Sequence, residues 1–325
     1  MRRREFITLV GATMAWPFAT HAQQPAMPVI GFLSSFSETQ SARPIAEFRR
    51  GLKDNGLTEG QSVTIEFRFA DGRYDRLPAL AAELVHHPVD LIFAAAPPAA
   101  LAAKAATTSI PIVFVVGFDP VTAGLVASLS RPGGNITGMT LFSNPLAQKR
   151  LEVLLELVPK APVIAMLANP VSPDTAPEVR AVEEMAQQRG LQLQIVNASS
   201  LSEIDTAVAA LAEKRPHALL VASDPFYLTR PDEIVASVAR LALPAIYPFR
   251  EFAAAGGLLS YGANRPVSYR QAGAYASRIL KGTKTVDLPV MQPTTFELVI
   301  NLKTAKALGI KVPQTLLIAA DEMIE

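Results

Sequence analysis

From Pro28 onward, short runs of apolar and β-branched residues alternate with amphipathic windows of helical period. That alternation predicts a parallel sheet covered by helices on both faces. Val29–Leu33 reads as a buried strand, followed by a helix over Pro44–Asn55 whose Ile45, Phe48 and Leu52 share a face and whose stop is Gly56. Val63–Phe69 alternates strictly and reads as a strand with one buried side. A helix over Leu77–Val85, strand Leu91–Ala95, helix Ala99–Thr107, strand Ile112–Val116, helix Thr122–Leu129 and strand Ile136–Thr140 complete this half.

The pattern then restarts. Pro162-Val163-Ile164-Ala165-Met166-Leu167 echoes Pro28-Val29-Ile30-Gly31-Phe32-Leu33, 134 positions on. His217–Pro225 echoes Val89–Pro97 at an offset of 128, and Leu243-Pro244-Ala245-Ile246 echoes Ile110-Pro111-Ile112-Val113 at 133. Helix Thr175–Arg189, strand Gln192–Val196 and a helix capped by Ser202 and running to Lys214 fill the intervals. Three echoes in one order predict an α/β chain of two Rossmann-like lobes with parallel sheets and a hinged cleft. The first lobe is expected over 28–141 plus roughly 263–292, and the second over 142–262 plus roughly 293–325. Crossovers are expected near Thr140–Leu146 and after Gly262.

Ligands of open α/β sheets bind beyond the carboxyl ends of the strands, so the loops there are the candidate site. In the first half they carry Ser34, Ser35 and Phe36, then Pro97, then Phe118 and Asp119. In the second they carry Asn169, then Ser223 and Asp224, then Tyr247, then Tyr261. Hydroxyls beside a helix start suit an anion, though the same residues serve as plain helix caps. Asp119 before Pro120 is equally a turn residue. The aromatic rings offer large rigid contact area. Arg250 can hold a carboxylate bidentately.

Composition removes other chemistries. With no cysteine among 325 residues there is no disulfide framework, no thiolate metal site, no cysteine nucleophile and no acylated lipoprotein anchor. A net charge of +1 argues against nucleic-acid binding. Gly257-Leu258-Leu259-Ser260-Tyr261-Gly262 is one residue too long for an esterase elbow, and His86, His87 and His217 lack metal-ligand spacing. Neither an enzyme nor a cofactor is expected.

Residues 1–24 read as an export signal. Arg2-Arg3-Arg4 precedes thirteen uncharged residues, Phe6–Phe18, and Thr20-His21-Ala22 supplies a cleavage site near Ala22. Thirteen residues rise only about 20 Å as a helix, too short to span a bilayer. Arg3-Arg4-Glu5-Phe6-Ile7 is twin-arginine-like. Cleavage after Ala22 would leave 27 basic and 28 acidic side chains, so the slight positive charge belongs to the leader. A soluble periplasmic monomer is the expectation.

Gly117-Phe118-Asp119-Pro120-Val121, Gly124-Leu125-Val126, Ser128-Leu129 and Arg131-Pro132-Gly133-Gly134-Asn135-Ile136-Thr137-Gly138 resemble a signature of the ABC transporter substrate-binding proteins of the tryptophan/tyrosine type. The resemblance runs from Val29 to the tail Asn301–Ile310. It implies the type I periplasmic binding protein fold, three interlobe crossovers, and delivery of a small solute to an inner-membrane ABC permease. A carboxylate-bearing, aromatic or apolar solute fits the strand-end residues; a sensory protein that presents its ligand to a membrane receptor is the alternative, and an exported hydrolase the remoter one. The Arg131–Asn135 stretch itself reads as a shaping turn, its two glycines allowing positive φ.

Overall fold

The computed structural model describes residues 27–141, 143–173 and 175–325. The expected leader over 1–24 and its cleavage site lie outside the described residues.

The first sheet is built from β1 (Val29–Ser34), β2 (Thr64–Phe69), β3 (Leu91–Ala95), β4 (Ile112–Val116) and β5 (Ile136–Thr140), all parallel in the order β2-β1-β3-β4-β5. Its connections carry α1 (Glu38–Asp54), α2 (Leu77–His86) and α3 (Pro97–Ala106). β3, β4 and β5 are buried along their whole length, as continuous apolar runs covered on both faces require. Phe32, Phe48, Phe67 and Phe93 cluster beneath α1, with ring centroids 4.5–5.7 Å apart.

The second sheet repeats that winding. α4 (Ser143–Leu157) leads into β6 (Val163–Ala168), α5 (Thr175–Gln188), β7 (Gln192–Asn197), α6 (Leu201–Lys214), β8 (Ala218–Val221), α7 (Pro225–Leu228), α8 (Pro231–Ala239), β9 (Ala245–Tyr247), α9 (Arg250–Ala254) and β10 (Leu259–Ala263). The order is β7-β6-β8-β9-β10, the same arrangement as the first sheet strand for strand. The three sequence echoes therefore pair β1 with β6, β3 with β8 and β4 with β9.

The chain then returns. α10 (Arg265–Leu280) packs along α1 and over β4 and β5, and the segment after it bridges to β5 through Met291 before reaching the second sheet. There β11 (Phe296–Asn301) adds antiparallel to β10, and α11 (Leu302–Ala307) and α12 (Gln314–Ala319) lead to β12 (Glu322–Ile324) at the edge. α1 and α10 cross with their backbones nearly touching. A Cβ on Gly51 would lie 1.9 Å from the Arg270 carbonyl oxygen, and one on Gly273 would lie 2.2 Å from that of Phe48.

Three local expectations are corrected. No helix forms over Thr122–Leu129; the stretch is a series of turns, with Gly124 at φ 67° and Asp119 tying down the amides of Val121 and Thr122. The stretch still covers its own face of the sheet, where Leu125 and Val126 pack with Ile112, Phe114 and Val116; α10 lies on the opposite face beside α1, against Val113, Val115 and Met139. α1 begins at Glu38 rather than Pro44, because Ser37 and Gln40 form a reciprocal capping box one turn earlier. α6 is capped by Ser200, not Ser202. The Gly133-Gly134 turn has φ 73° and 65°, the left-handed conformation glycine permits.

Candidate functional site

A cavity of about 340 Å³ lies between the carboxyl ends of the two sheets. That figure is all the space between the walls, including what is open to solvent. The first sheet supplies Phe36 after β1, Ala96 and Pro97 after β3, Val115 and Gly117 from β4, and Leu141 after β5. The second supplies Ser223, Asp224, Pro225 and Leu228 after β8 and Phe249 after β9. Arg265 and Tyr269, on the first turns of α10, complete the wall.

The wall is apolar except at two charges. Asp224 is 2% exposed and is the N-cap of α7. Its Oδ1 accepts from Asn169 Nδ2 at 3.0 Å and from the Tyr227 amide at 3.1 Å, and its Oδ2 accepts from the Tyr74 hydroxyl at 3.1 Å. Burial pushes its carboxyl above the ordinary aspartate range, against the pull of these donors. Arg265 is 6% exposed, with Nη1 2.8 Å from Glu251 Oε1 on α9. Its guanidinium carbon sits 5.3 Å from the ring centres of Phe36 and Phe249 and 5.9 Å from that of Tyr269. Such a cage holds a planar cation by its faces and leaves the edge N–H groups that Glu251 does not take to bind a further carboxylate.

A buried ion pair underlies the Asp224 loop. Arg150 on α4 and Glu178 on α5 are both essentially inaccessible and hydrogen-bonded to each other, and the Ser223 amide donates to Glu178 at 2.9 Å. Burial raises the Glu178 carboxyl to about 7, opposed by Arg150 and the Ser223 amide. Loss of solvent also lowers the basicity of Arg150.

The site residues singled out from sequence fall into four groups. Phe36, Pro97, Ser223 and Asp224 line the cavity, and Asn169 stands behind Asp224 as its donor. Ser34 Oγ is 3.2 Å from Ser41 Oγ and accepts the Phe36 amide, while Ser35 Oγ is buried without a hydrogen-bond partner among the described residues. Phe118 and Asp119 border a neighbouring groove; Asp119 accepts from Val121, Thr122 and the Thr122 hydroxyl, which is turn chemistry. Tyr247 is stacked on Phe252 in the second lobe's core, and Tyr261 stacks on Phe296 of β11; neither lines the cavity. Arg250, which by its sequence position could have held a ligand carboxylate, is engaged bidentately by Glu322 at 2.6 Å. Sequence reasoning missed Arg265, Tyr269 and Tyr74. Asn264-Arg265-Pro266 directly follows β10, so the strand-end rule already pointed there.

Residues 33–324 match the family model described as ABC transporter substrate binding protein. The chain belongs to that family. It is a solute binder of a non-enzymatic family, with the two-lobe type I binding-protein architecture. It is 30% identical over 271 residues to a tyrosine-binding protein of Clostridioides difficile, covering 81% of this chain and 76% of that one. A Streptococcus pneumonia ABC domain solved in complex with L-Trp superposes with a TM-score of 0.83 at 27% identity, over 91% of this chain and all of the other. The ligand-free, open structure of a substrate-binding protein with adhesive properties from Clostridium difficile gives 0.68 at 26% identity, over 91% and 99%. Identity and coverage are nearly equal in the two comparisons, so the difference in fit is not one of relatedness. The chain as a whole fits the Trp-bound protein better than the open one.

Proposed function

We propose that this protein is the exported solute-binding component of an ABC importer and that it encloses an amino acid with an aromatic or bulky apolar side chain between its lobes. The observation that carries the reading is the pairing of two buried charges of opposite sign on the walls of one small apolar cavity. Asp224 receives the ammonium group, Arg265 in its aromatic cage receives the carboxylate, and Phe36, Pro97, Leu141, Leu228 and Phe249 surround the side chain. A zwitterion gives Asp224 a cation and adds a second carboxylate to Arg265 beside Glu251, whereas a plain carboxylic acid leaves Asp224 buried without a cation. The relatives named for tyrosine and bound to L-Trp are in keeping with such a solute.

The lobes open and close about the chain crossings after Leu141, at Asn264 and over 289–295, and a ligand that bridges Asp224 and Arg265 favours the closed arrangement. Export places the protein in a periplasm, where the closed form meets its inner-membrane permease.

Calorimetric titration of residues 23–325 tests this. L-Trp, L-Tyr or L-Phe is expected to bind, and to raise unfolding stability by about 2.7 kcal/mol at a hundredfold excess over Kd. Indole-3-propionate, which keeps the ring and carboxylate but lacks the amine, is expected to bind more weakly. Absence of binding by every aromatic and branched apolar amino acid would overturn the proposal.

A further inference from the structure

Among the described residues, three first-lobe side chains make polar contacts with the second lobe around the cavity. Gln40 on α1 donates to the Thr229 carbonyl, Arg265 pairs with Glu251, and the Tyr74 hydroxyl reaches Asp224. The third is different in kind, because it ends on the carboxylate assigned to the ligand's amine. Tyr74 belongs to the first lobe, in a short 3-10 turn (Tyr74–Arg76) ahead of α2, while Asp224 belongs to the second.

The hydrogen of the Tyr74 hydroxyl is committed to this contact. The Phe226 amide donates to the same hydroxyl at 3.0 Å, so its oxygen is the acceptor there and its O–H points to Asp224 Oδ2 at 3.1 Å. Asp224 then holds Asn169 and the Tyr227 amide on one oxygen and Tyr74 on the other. A carboxylate has roughly four lone-pair positions, so a place remains for an ammonium N–H. Hydrogen bonds to an ionised acceptor are the stronger kind, and here the donor comes from the opposite lobe.

We infer that Tyr74 is a positioning residue that couples amine recognition at Asp224 to closure of the lobes, and so contributes to discrimination between amino acids and their des-amino analogues. The inference rests on the function proposed above. In the closed arrangement Asp224 is removed from water, and its charge is tolerable when Tyr74, Asn169 and a ligand ammonium all face it. When the lobes part, Tyr74 withdraws and water replaces it. An amine that keeps Asp224 ionised therefore strengthens the Tyr74 bond, and the bond in turn holds the closed form around the amine.

The test is Tyr74→Phe, a change that removes one oxygen from a partly exposed ring and leaves its packing. Stopped-flow and calorimetric measurements are expected to show about tenfold weaker binding of L-Trp or L-Tyr, mostly as faster dissociation. Binding of indole-3-propionate is expected to change less than twofold. In an Asp224→Asn background the same substitution is expected to cost little more, the signature of two residues acting as a unit. Equal weakening of both ligands, or no weakening of either, in a protein whose wild type binds the amino acid would overturn the role of Tyr74 alone. A wild type that binds no amino acid would overturn the function proposal, and this inference with it.

Discussion

The loops after β3 and β8 occupy equivalent places in the two sheets and face each other across the cavity. Each ends a buried strand and opens a helix with proline at its first position: Ala96-Pro97 in one lobe, Asp224-Pro225 in the other. Proline suits that position because its missing N–H would have had no partner within the helix. Beyond this the loops diverge. Ala96 caps nothing and sits at φ 81°, ψ 158°, a region that side chains other than glycine's rarely enter. Asp224 has ordinary extended backbone, caps its own helix and gathers donors from Asn169 and Tyr74. One turn design thus supports an apolar wall set by packing and local strain, and a charged wall that needs a polar scaffold. The difference extends a layer deeper: among the described residues the ion pair with both partners fully buried, Arg150–Glu178, lies behind the charged loop.

The largest test of this contrast removes the scaffold. Arg150→Met leaves Glu178 buried without its counter-cation, which for a buried pair costs about 3–5 kcal/mol. The cost depends on pH in a defined direction. Glu178 already binds its proton more tightly in the folded protein, at about 7, than in the unfolded chain near 4.5. Its contribution to stability is therefore full below the unfolded value and is lost as pH rises through the folded one. Loss of Arg150 raises the folded value further, so the deficit of the variant relative to wild type grows from pH 6 to pH 8. Urea unfolding at the two pH values checks this; a deficit independent of pH would show that Glu178 is not the group responsible. The double variant Arg150→Met/Glu178→Leu is expected to recover most of the stability while still binding ligand more weakly, because the Ser223 amide has lost its acceptor.

The duplicated fold was readable from the sequence because buried parallel strands leave unbroken apolar runs at regular intervals; Leu91–Ala95, Ile112–Val116 and Ile136–Thr140 occur as expected. What local pattern did not carry was the cover of the first sheet. The Thr122–Leu129 stretch has enough apolar residues for a helix, but Gly124 and the Asp119 turn compete, and Leu125 and Val126 cover their face from turns; α10 covers the other face, beside α1, through the Gly51–Gly273 approach. The site was legible to the same extent. Strand-end loops revealed Phe36, Pro97, Ser223 and Asp224, whose positions follow from topology. Tyr247 and Tyr261 sit on strand residues whose side chains point into packing, an orientation that depends on register. Arg265 and Tyr269 depend on a long-range helix contact, and Tyr74 on how the lobes meet.

A smaller effect is expected at the apolar wall. Holding Ala96 at φ 81° costs about 1–3 kcal/mol, which glycine would not incur. Glycine returns about 0.4–1 kcal/mol of that through its freer unfolded chain. Ala96→Gly is therefore expected to stabilise the protein by about 1 kcal/mol, opposite in sign to the Arg150 variant on the opposite wall. Since Ala96 lines the cavity, the same change removes a methyl contact and is expected to weaken ligand binding slightly. Thermal unfolding with and without ligand separates the two. A destabilised Ala96→Gly protein would mean that the methyl's packing outweighs the backbone strain, and the contrast between the loops would lose half its basis.

The smallest effect distinguishes two arginines that begin neighbouring helices of the second-lobe edge and the crossover. Arg250 and Arg265 both follow strand ends and both pair with a glutamate, and sequence reasoning pointed to Arg250 alone. Arg265 is caged by three rings and faces the cavity; Arg250 is about one-third exposed and clamps Glu322 of β12, at the far edge of the sheet. The hydrogen bond from Arg250 holds the Glu322 carboxyl below its ordinary range, so what the pair contributes is present near neutral pH and fades as pH falls through the carboxylate range. Exposed pairs of this kind contribute at most about 1 kcal/mol, even when bidentate. Arg250→Ala is accordingly expected to lower stability by less than about 1 kcal/mol at pH 7, by less still at pH 4, and to leave amino-acid affinity unchanged. Arg265→Ala, measured beside it, is expected to abolish most of that affinity. If the two variants bound ligand alike, the aromatic cage would be packing alone and the carboxylate would have to be held elsewhere in the cavity.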